Sequence, residues 1–248
     1  MRSSALTFYR YPGAADATTY ERENRTADPD QRIEAFMTSV APFAGRTIVD
    51  IGGGSAFHAS RYACEYPDAR VLVVEPDADM LAQAFRRLAD APLGNLSIIA
   101  ANAEDIPLRD GIADIVYSRF AYFFGPAEGG VKSCEPGIRE ALRLLAPGGV
   151  FFVIDNSLTD GDFARFLRQY GWNLSADGHA EQSRRDAFWF EQGFQKQTVA
   201  SAWVAPNRDV LRQIITMEFP ADAVEPVMNE IDASLLSYSY DVYWRWKE

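Results

Sequence analysis

The chain has 248 residues, of which 48% are hydrophobic and 24% charged, a balance typical of one large globular domain or of a domain with a small appendage. The formal net charge of -11 argues against a nucleic-acid substrate, because proteins that grip phosphate backbones carry basic surfaces. No apolar run approaches the ~20 residues that cross a bilayer, and the N-terminus lacks a signal-peptide pattern. We therefore expect a soluble, cytoplasmic protein with no membrane partner.

Cysteine and histidine usage argues against a metal centre. Cys64 and Cys134 form no CxxC pair, and the two histidines, His58 and His179, have no ligand spacing, so we predict no metal site. Cys64 falls in a predicted helix among alanine and tyrosine, which favours a buried thiol. The excess of arginine over lysine, 21 to 3, indicates a bacterial genome of high GC content.

The predicted elements of the first half alternate between helix and strand. Residues 1–27 have no clear period and are predicted to be a flexible arm, and a helix follows Asp28 because apolar residues recur on one face. The remaining predictions, in chain order, are a strand over 47–51, a helix over 56–66, a strand over 71–74, a helix over 79–88, strands over 96–100 and 112–118, a helix over 138–145 and a strand over 150–154. This alternation predicts a doubly wound α/β sheet with right-handed crossovers, whose ligands bind at the carboxyl ends of the strands.

Beyond residue 157 the order changes. Helices are predicted over 163–170, 186–192, 210–217 and 223–235, with a strand over 197–204. The last segment alternates apolar and polar residues from Leu236 to Trp246, which predicts a half-buried strand. Since no linker or repeat interrupts the chain, we predict a single domain: an arm and lid helix over 1–45, a cofactor-binding core over 46–157, a helical insert over 158–195, and strands and helices over 196–248 that complete the sheet.

The first motif is a glycine turn between a strand and a helix, Asp50-Ile51-Gly52-Gly53-Gly54-Ser55-Ala56-Phe57. Such a turn lets a ligand approach the backbone closely, and the helix N-terminus adds N–H groups. A dinucleotide fingerprint fails here because bulky Phe57 stands at its sixth position. Asp50 suits a cationic ligand better than a pyrophosphate, while Glu75, at the end of the second strand, can accept hydrogen bonds from both hydroxyls of a ribose.

With these two acids in place, residues 45–157 resemble the class I S-adenosylmethionine-dependent methyltransferases. The resemblance is carried, in order, by residues 50–54, by Glu75-Pro76, and by residues 102–108, 114–118 and 144–149. It implies a Rossmann-like methyltransferase fold with a mostly parallel seven-stranded sheet and an antiparallel C-terminal strand. It also implies S-adenosylmethionine as cofactor and S-adenosylhomocysteine as its product.

The resemblance further implies the cofactor-binding residues. Around the methionine end it places Asp50, Gly52, Gly53 and Gly54; at the ribose Glu75 and Pro76; at the adenine Met80, Asn102, Ala103 and Glu104; and beneath the sulfonium Ser118, Arg119 and Phe120. Tyr20 is expected to close over the cofactor carboxylate, as the N-terminal arms of similar enzymes do. The sequence departs from the family at Ala56, where a glycine is usual, and at Asn102, where an acid usually meets the adenine amino group.

A sulfonium methyl is already activated, so an enzyme of this kind needs mainly to hold the acceptor in line at about 3–3.5 Å. His179 and Asp155 are candidate general bases, whereas we expect His58 to pack structurally. The predicted substrate residues suit an aromatic or planar molecule and are Tyr9, Tyr11, Tyr122, Phe123, Asn156 and Trp189. We therefore predict O- or N-methylation of a small-molecule acceptor. Other chemistry with the same cofactor, and a non-catalytic cofactor-binding partner of another enzyme, are the alternatives.

Overall fold

A computed structural model describes residues 17–126, 132–171, 178–231 and 233–248. Its helices are α1 (Ala17–Thr26), α2 (Arg32–Val40), α3 (Phe57–Glu65), α4 (Ala78–Asp90), α5 (Glu135–Leu144), α6 (Gly161–Tyr170), α7 (Gly178–Glu191), α8 (Arg208–Glu218) and α9 (Val224–Glu230). Its strands are β1 (Thr47–Ile51), β2 (Arg70–Glu75), β3 (Leu96–Ala100), β4 (Ala113–Arg119), β5 (Leu145–Asn156), β6 (Gln195–Val204) and β7 (Leu235–Trp246). The strands form one sheet in the order β3-β2-β1-β4-β5-β7-β6.

The chain divides into two compact units. The first contains the described residues within Thr38–Ile154 and Trp244–Glu248, and the second contains residues 17–37 and the described residues within Asp155–Tyr243. Strands β5 and β7 each contribute residues to both units. Among the described residues, no helix is long and apolar enough to cross a membrane.

The first unit is built on parallel strands. β1 pairs in parallel with β2 and with β4, β2 pairs with β3, and β4 pairs with β5. The apolar runs of β1, β2 and β4 are buried on both faces, as expected for the inner strands of a parallel sheet. Because the carboxyl ends of parallel strands lie at the same end of a sheet, Asp50, Glu75 and Arg119 lie near that end.

The chain that follows β7 runs antiparallel to the first residues of β5 in this unit. The amide of Gly148 donates to the carbonyl of Lys247, and the amide of Lys247 donates to the carbonyl of Gly149, each at 2.8 Å. This reciprocal exchange is the antiparallel pattern. The predicted doubly wound, mostly parallel sheet with an antiparallel C-terminal strand is therefore confirmed.

Aromatic side chains fill the core of the second unit. Trp203 of β6 stacks on Tyr238 of β7 with ring centroids 4.9 Å apart, and Phe163 of α6 packs against both rings. Trp189 of α7 stacks on Tyr243 of β7 at 5.5 Å and meets Phe194 edge-on. Rings of this size bury large apolar areas.

Four predictions were wrong in this region or at helix ends. Residues 17–26 form α1 rather than a flexible arm, because this polar segment packs against α8 and β6. The helix predicted at 186 begins at Gly178, and the helix predicted to reach 235 ends at Glu230. The last strand is not half-buried: every side chain from Tyr238 to Tyr243 of β7 is buried, so both of its faces are covered there.

The prediction of a buried Cys64 was also wrong. α3 buries Ala59, Tyr62 and Ala63, and Cys64 falls one residue further round the helix, where its thiol is exposed. Cys134 is buried.

Candidate functional site

The glycine turn after β1 is shaped by backbone conformations that side chains rarely adopt. Gly52 and Gly54 have φ values of 77° and 55°, in the left-handed region. A Cβ on Gly52 would overlap the Cβ of Ala121, and a Cβ on Gly53 would lie 2.7 Å from Oδ2 of Asp50. Ala56 also has a left-handed φ of 59°, a conformation that glycine adopts more readily than alanine.

Asp50 lies beneath this turn and is almost completely buried. Its Oδ2 accepts a hydrogen bond from the Tyr117 hydroxyl at 2.6 Å, and its other oxygen makes no hydrogen bond within the described part of the chain. Burial raises the pKa of Asp50 to about 7; the Tyr117 hydrogen bond opposes that shift, Glu75 adds to it and Arg119 opposes it. Such a carboxyl is poised to accept a cation.

Glu75 ends β2 beside the same turn. Its Oε2 accepts from the amide of Gly54 and its Oε1 from the amide of Asp77, both at 2.8 Å. Burial raises its pKa, and these two backbone hydrogen bonds oppose the shift. Asp77 in turn caps α4 by accepting from the amides of Asp79 and Met80. Glu75 therefore ties the glycine turn to the start of α4, and Pro76 lies half-buried between the two acids.

The segment after β4 forms a strained turn above the strand ends. Ser118 is buried and donates through its hydroxyl to the carbonyl of Ile51 at 2.8 Å. Arg119 is buried, its guanidinium carbon 5.9 Å from the Phe120 ring centre. Phe120 and Tyr122 both have left-handed φ values, 51° and 48°. Non-glycine residues held in this region cluster at functional sites.

The segment after β3 is organised by Asn102. Its side-chain oxygen accepts from the amides of Glu104 and Asp105 at 2.8 and 3.0 Å. The oxygen predicted to read the adenine amino group is therefore already engaged by the backbone, and that role stays a prediction. Ala103 is buried, while exposed Glu104 accepts from the Tyr122 hydroxyl at 2.9 Å. Met80, in the first turn of α4, is also buried.

Two predicted residues of the first unit lie in or near its packed core. Phe123 is 2% exposed and meets Phe151 edge-on at 5.0 Å, so it packs within the unit. Tyr122 is half-buried, with its ring against Gly137.

His58 packs edge-on against Phe57, and burial together with Arg119, Arg61 and Arg87 lowers its pKa well below the usual range. The imidazole is therefore neutral at pH 7, in keeping with the expected structural role.

Asp155 belongs to a buried ion network in the second unit. Arg185 of α7 donates to Asp155 at 2.9 Å, to Asp241 at 3.1 Å, to the side-chain oxygen of Gln182 at 2.9 Å and to the carbonyl of Asn156 at 2.6 Å. Burial raises the pKa of Asp155, and Arg185 opposes that rise. The Asp155 carboxylate is already paired with a buried guanidinium, so its role as a base stays a prediction.

The other predicted residues of the second unit lie apart from this network or within its core. His179 is exposed in the first turn of α7, and Tyr20 is half-buried in α1. Trp189 is 1% exposed within the aromatic core, so its place in a substrate pocket remains a prediction. Tyr9 and Tyr11 lie outside the described residues.

Sequence reasoning missed two side chains that organise these acids. Tyr117 lies in the segment over 114–118 that carries the resemblance, but neither Tyr117 nor Arg185 is assigned a role from the sequence. Their partners are 67 and 30 or more residues away in sequence, so only the register of the strands reveals the pairing. Within the described ranges, no group of histidine, cysteine, aspartate and glutamate could hold a metal ion.

The residues of the first unit fit a ligand with a cationic amino end and a ribose. The glycine cradle leaves no room for side chains, Asp50 has an uncommitted oxygen beside it, and Glu75 lies at the neighbouring strand end. Carboxylates at these two positions match an ammonium and a pair of hydroxyls, respectively. The negative charges of these two carboxylates thus suit the ammonium of S-adenosylmethionine, whereas they would repel the negative charge of a pyrophosphate.

Comparison with known proteins is consistent with this geometry. Residues 49–153 match a family model described as a methyltransferase domain. The chain is 32% identical over 129 residues to the ubiquinone/menaquinone biosynthesis C-methyltransferase UbiE of Methylobacterium nodulans, covering 51% of this chain and 49% of that protein. It is 30% identical over 181 residues to the malonyl-[acyl-carrier protein] O-methyltransferase of Geobacter sulfurreducens, covering 71% of this chain and 61% of that protein. The chain therefore spans about half to three fifths of the length of these relatives.

A solved structure extends the likeness to most of the chain. The crystal structure of a SAM dependent methyltransferase from Aquifex aeolicus superposes with a TM-score of 0.56, covering 92% of this chain and 98% of that chain at 14% identity. At this identity the match is evidence for the fold.

Proposed function

We propose that this chain, which carries a class I S-adenosylmethionine-dependent methyltransferase domain in the Rossmann-like methyltransferase fold, is an enzyme that methylates a small-molecule acceptor. The proposal depends above all on Asp50 and Glu75, two buried acids at neighbouring strand ends on either side of a glycine cradle. We propose that it acts as a single-domain, cytoplasmic bacterial protein without a nucleic-acid partner.

The proposed roles of the cofactor-binding residues follow from their chemistry. Asp50 would accept from the ammonium of the amino-acid end, and Glu75 from the ribose hydroxyls. Met80 and Ala103 would supply apolar contact to the adenine. Ser118 and Arg119, at the end of β4, would line the floor of the methyl-transfer site.

When bound, S-adenosylmethionine supplies a methyl group activated on a sulfonium. The work left to the chain is to hold an acceptor oxygen or nitrogen in line with that methyl and to keep water away. For an acceptor that must lose a proton, His179 is the better of the two candidate bases, because Asp155 neutralises buried Arg185. A base of this kind adds about 10²–10⁴-fold to the rate.

The deciding experiment is a calorimetric titration with S-adenosylhomocysteine, with NAD as the competing ligand class. We expect micromolar binding of S-adenosylhomocysteine, none of NAD, and a loss of about tenfold or more in Glu75→Ala. Glu65→Ala is the matched control, because Glu65 is an exposed acid on α3. Thermal unfolding of each variant shows whether a loss of binding reflects a loss of folding.

Failure of the wild-type protein to bind S-adenosylhomocysteine would contradict the proposal. If it binds, transfer of a labelled methyl group onto panels of small hydroxylated and aminated molecules identifies the acceptor. Binding without transfer to any acceptor would favour a non-catalytic partner or different chemistry with the same cofactor.

A further inference from the structure

Tyr117 and Asp50 face each other across neighbouring parallel strands. Asp50 of β1 and Tyr117 of β4 are register partners, so their side chains emerge on the same face of the sheet. Their hydroxyl and carboxylate oxygens are 2.6 Å apart, and the two residues are 1% and 3% exposed. The Tyr117 ring is held in turn by an edge-on contact with Tyr62 of α3, with centroids 5.6 Å apart.

The surroundings of Asp50 engage one of its two carboxylate oxygens. A Cβ built on Gly53 would meet Oδ2 of Asp50 at 2.7 Å and Val73 at 2.8 Å, so the carboxylate fits closely under the glycine turn. Oδ2 is taken by Tyr117, whereas Oδ1 has no hydrogen bond among the described residues. The other charged groups that act on it are Glu75, from the end of β2, and Arg119, from the end of β4.

We propose that Tyr117 is a positioning residue that fixes Asp50 for the ammonium of the cofactor's amino-acid end, and that binding of this ammonium releases a proton from Asp50 near neutral pH. The inference rests on the proposed function, since it requires a ligand with a cationic amino group. It adds to that function a role for Tyr117, to which the sequence analysis assigned none, and a coupling between cofactor binding and pH.

The sign of the coupling follows from the charges. Burial raises the pKa of Asp50 to about 7, so a substantial fraction of the free protein carries a proton there at neutral pH. An ammonium beside the carboxyl favours its charged form and lowers its pKa. Binding therefore becomes tighter as the pH rises from about 6 to about 8, and it releases protons in between.

The test compares two ligands that differ at the amino-acid end. S-adenosylhomocysteine carries the ammonium, whereas 5′-methylthioadenosine keeps the adenosine and lacks it. We expect Tyr117→Phe to weaken the first by about tenfold and to leave the second unchanged. The midpoint of the pH dependence should move upward in Tyr117→Phe, because the variant loses a hydrogen bond that lowers the pKa of Asp50. Titration in two buffers of different protonation enthalpy measures the proton released.

Tyr62→Phe is the matched control, because it removes a hydroxyl from the neighbouring ring and keeps the edge-on packing. It should leave the ratio of the two affinities unchanged. Equal weakening of both ligands in Tyr117→Phe, or the same pH profile for both ligands in the wild type, would overturn the inference and leave the proposed function intact. Binding of neither ligand to the wild type would overturn the proposed function and the inference with it.

Discussion

At the scale of single residues, the site is set by what the backbone of the glycine turn excludes. Gly53 has no room for a Cβ, because Oδ2 of Asp50 and a methyl of Val73 already occupy the space within 2.8 Å. Both neighbours are buried, so neither can move aside freely. The turn therefore positions the carboxylate as well as admitting a ligand.

Gly53→Ala tests this close packing. We expect it to lower the free energy of unfolding by about 1–3 kcal/mol through overpacking, and to weaken binding of S-adenosylhomocysteine because Asp50 must shift. Chemical denaturation and calorimetry measure the two effects.

Gly94→Ala is the control, since a Cβ there meets nothing within 4 Å. It should change stability by less than about 0.5 kcal/mol. Unchanged stability and binding in Gly53→Ala would mean that the turn is looser than this packing indicates.

The positions of the two acids could be predicted from residue types, but their states could not. Asp50 and Glu75 can be placed from the sequence because each lies near the carboxyl end of a buried strand, and the carboxyl ends of parallel strands lie together. The engagement of the Asn102 oxygen by two backbone amides, and of Asp50 by Tyr117, depends on three-dimensional register. How these residues are brought together in three dimensions cannot be deduced from a single sequence.

At the scale of elements, α7 is fixed by buried charge. Arg185 reaches Asp155 at the end of β5 and Asp241 in β7, and Lys196 of β6 lies 3.1 Å from the same Asp241. Gln182 accepts from the amide of Leu158 and donates to Asp186 and to the Tyr243 hydroxyl. The helix is therefore joined to three strands by a buried polar network, to which Lys196 adds an ion pair with Asp186, and such a network is costly to break.

Arg185→Met breaks this network while keeping most of the side-chain volume. We expect a loss of about 3–5 kcal/mol in the free energy of unfolding at pH 8, because Asp155 and Asp241 stay buried without their guanidinium. The loss should shrink toward pH 5. Removing Arg185 raises the pKa of Asp155 further, and an acid with a raised pKa contributes stability that disappears as the pH rises.

Arg212→Met provides the comparison, because the Arg212–Glu225 pair is exposed by 39% and 67% at its two side chains. Arg212→Met should lower the free energy of unfolding by less than about 1 kcal/mol at either pH. Denaturant titrations at the two pH values measure the loss in the free energy of unfolding of each variant. Equal losses for the two variants would contradict a stabilising role for the network.

Elements with their own periodicity could be predicted, and elements that depend on distant partners could not. β1 and β3 have the predicted bounds because each is a short apolar run between turn residues. α1 and the first half of α7 are polar, and helices of this kind are stabilised by tertiary packing rather than by an apolar face. Asp241 suggested a solvated face of β7, but Arg185 and Lys196 supply its charge partners from distant parts of the chain.

At the scale of the whole molecule, charge decides which acceptors are plausible. The net charge is -11, and two of the arginines are engaged by other parts of the chain. Arg185 is buried against two aspartates, and Arg87 donates to the carbonyl of Ser55 and lies over the Phe57 ring at 5.4 Å. A polyanion would therefore meet mostly negative potential.

We accordingly expect no saturable binding of structured RNA up to about 10⁻⁴ M at roughly 50 mM salt, the low-salt condition that most favours non-specific contacts. A filter-binding titration with a folded RNA fragment measures this, with a basic protein of similar size as the positive control. The same preparation should bind S-adenosylhomocysteine, which shows that the site is intact. Saturable RNA binding whose affinity falls steeply with salt would reveal a local basic groove that the average charge conceals. It would move the proposed acceptor from a small molecule to a nucleic acid, because counterion release on binding requires arginine or lysine side chains at the phosphates.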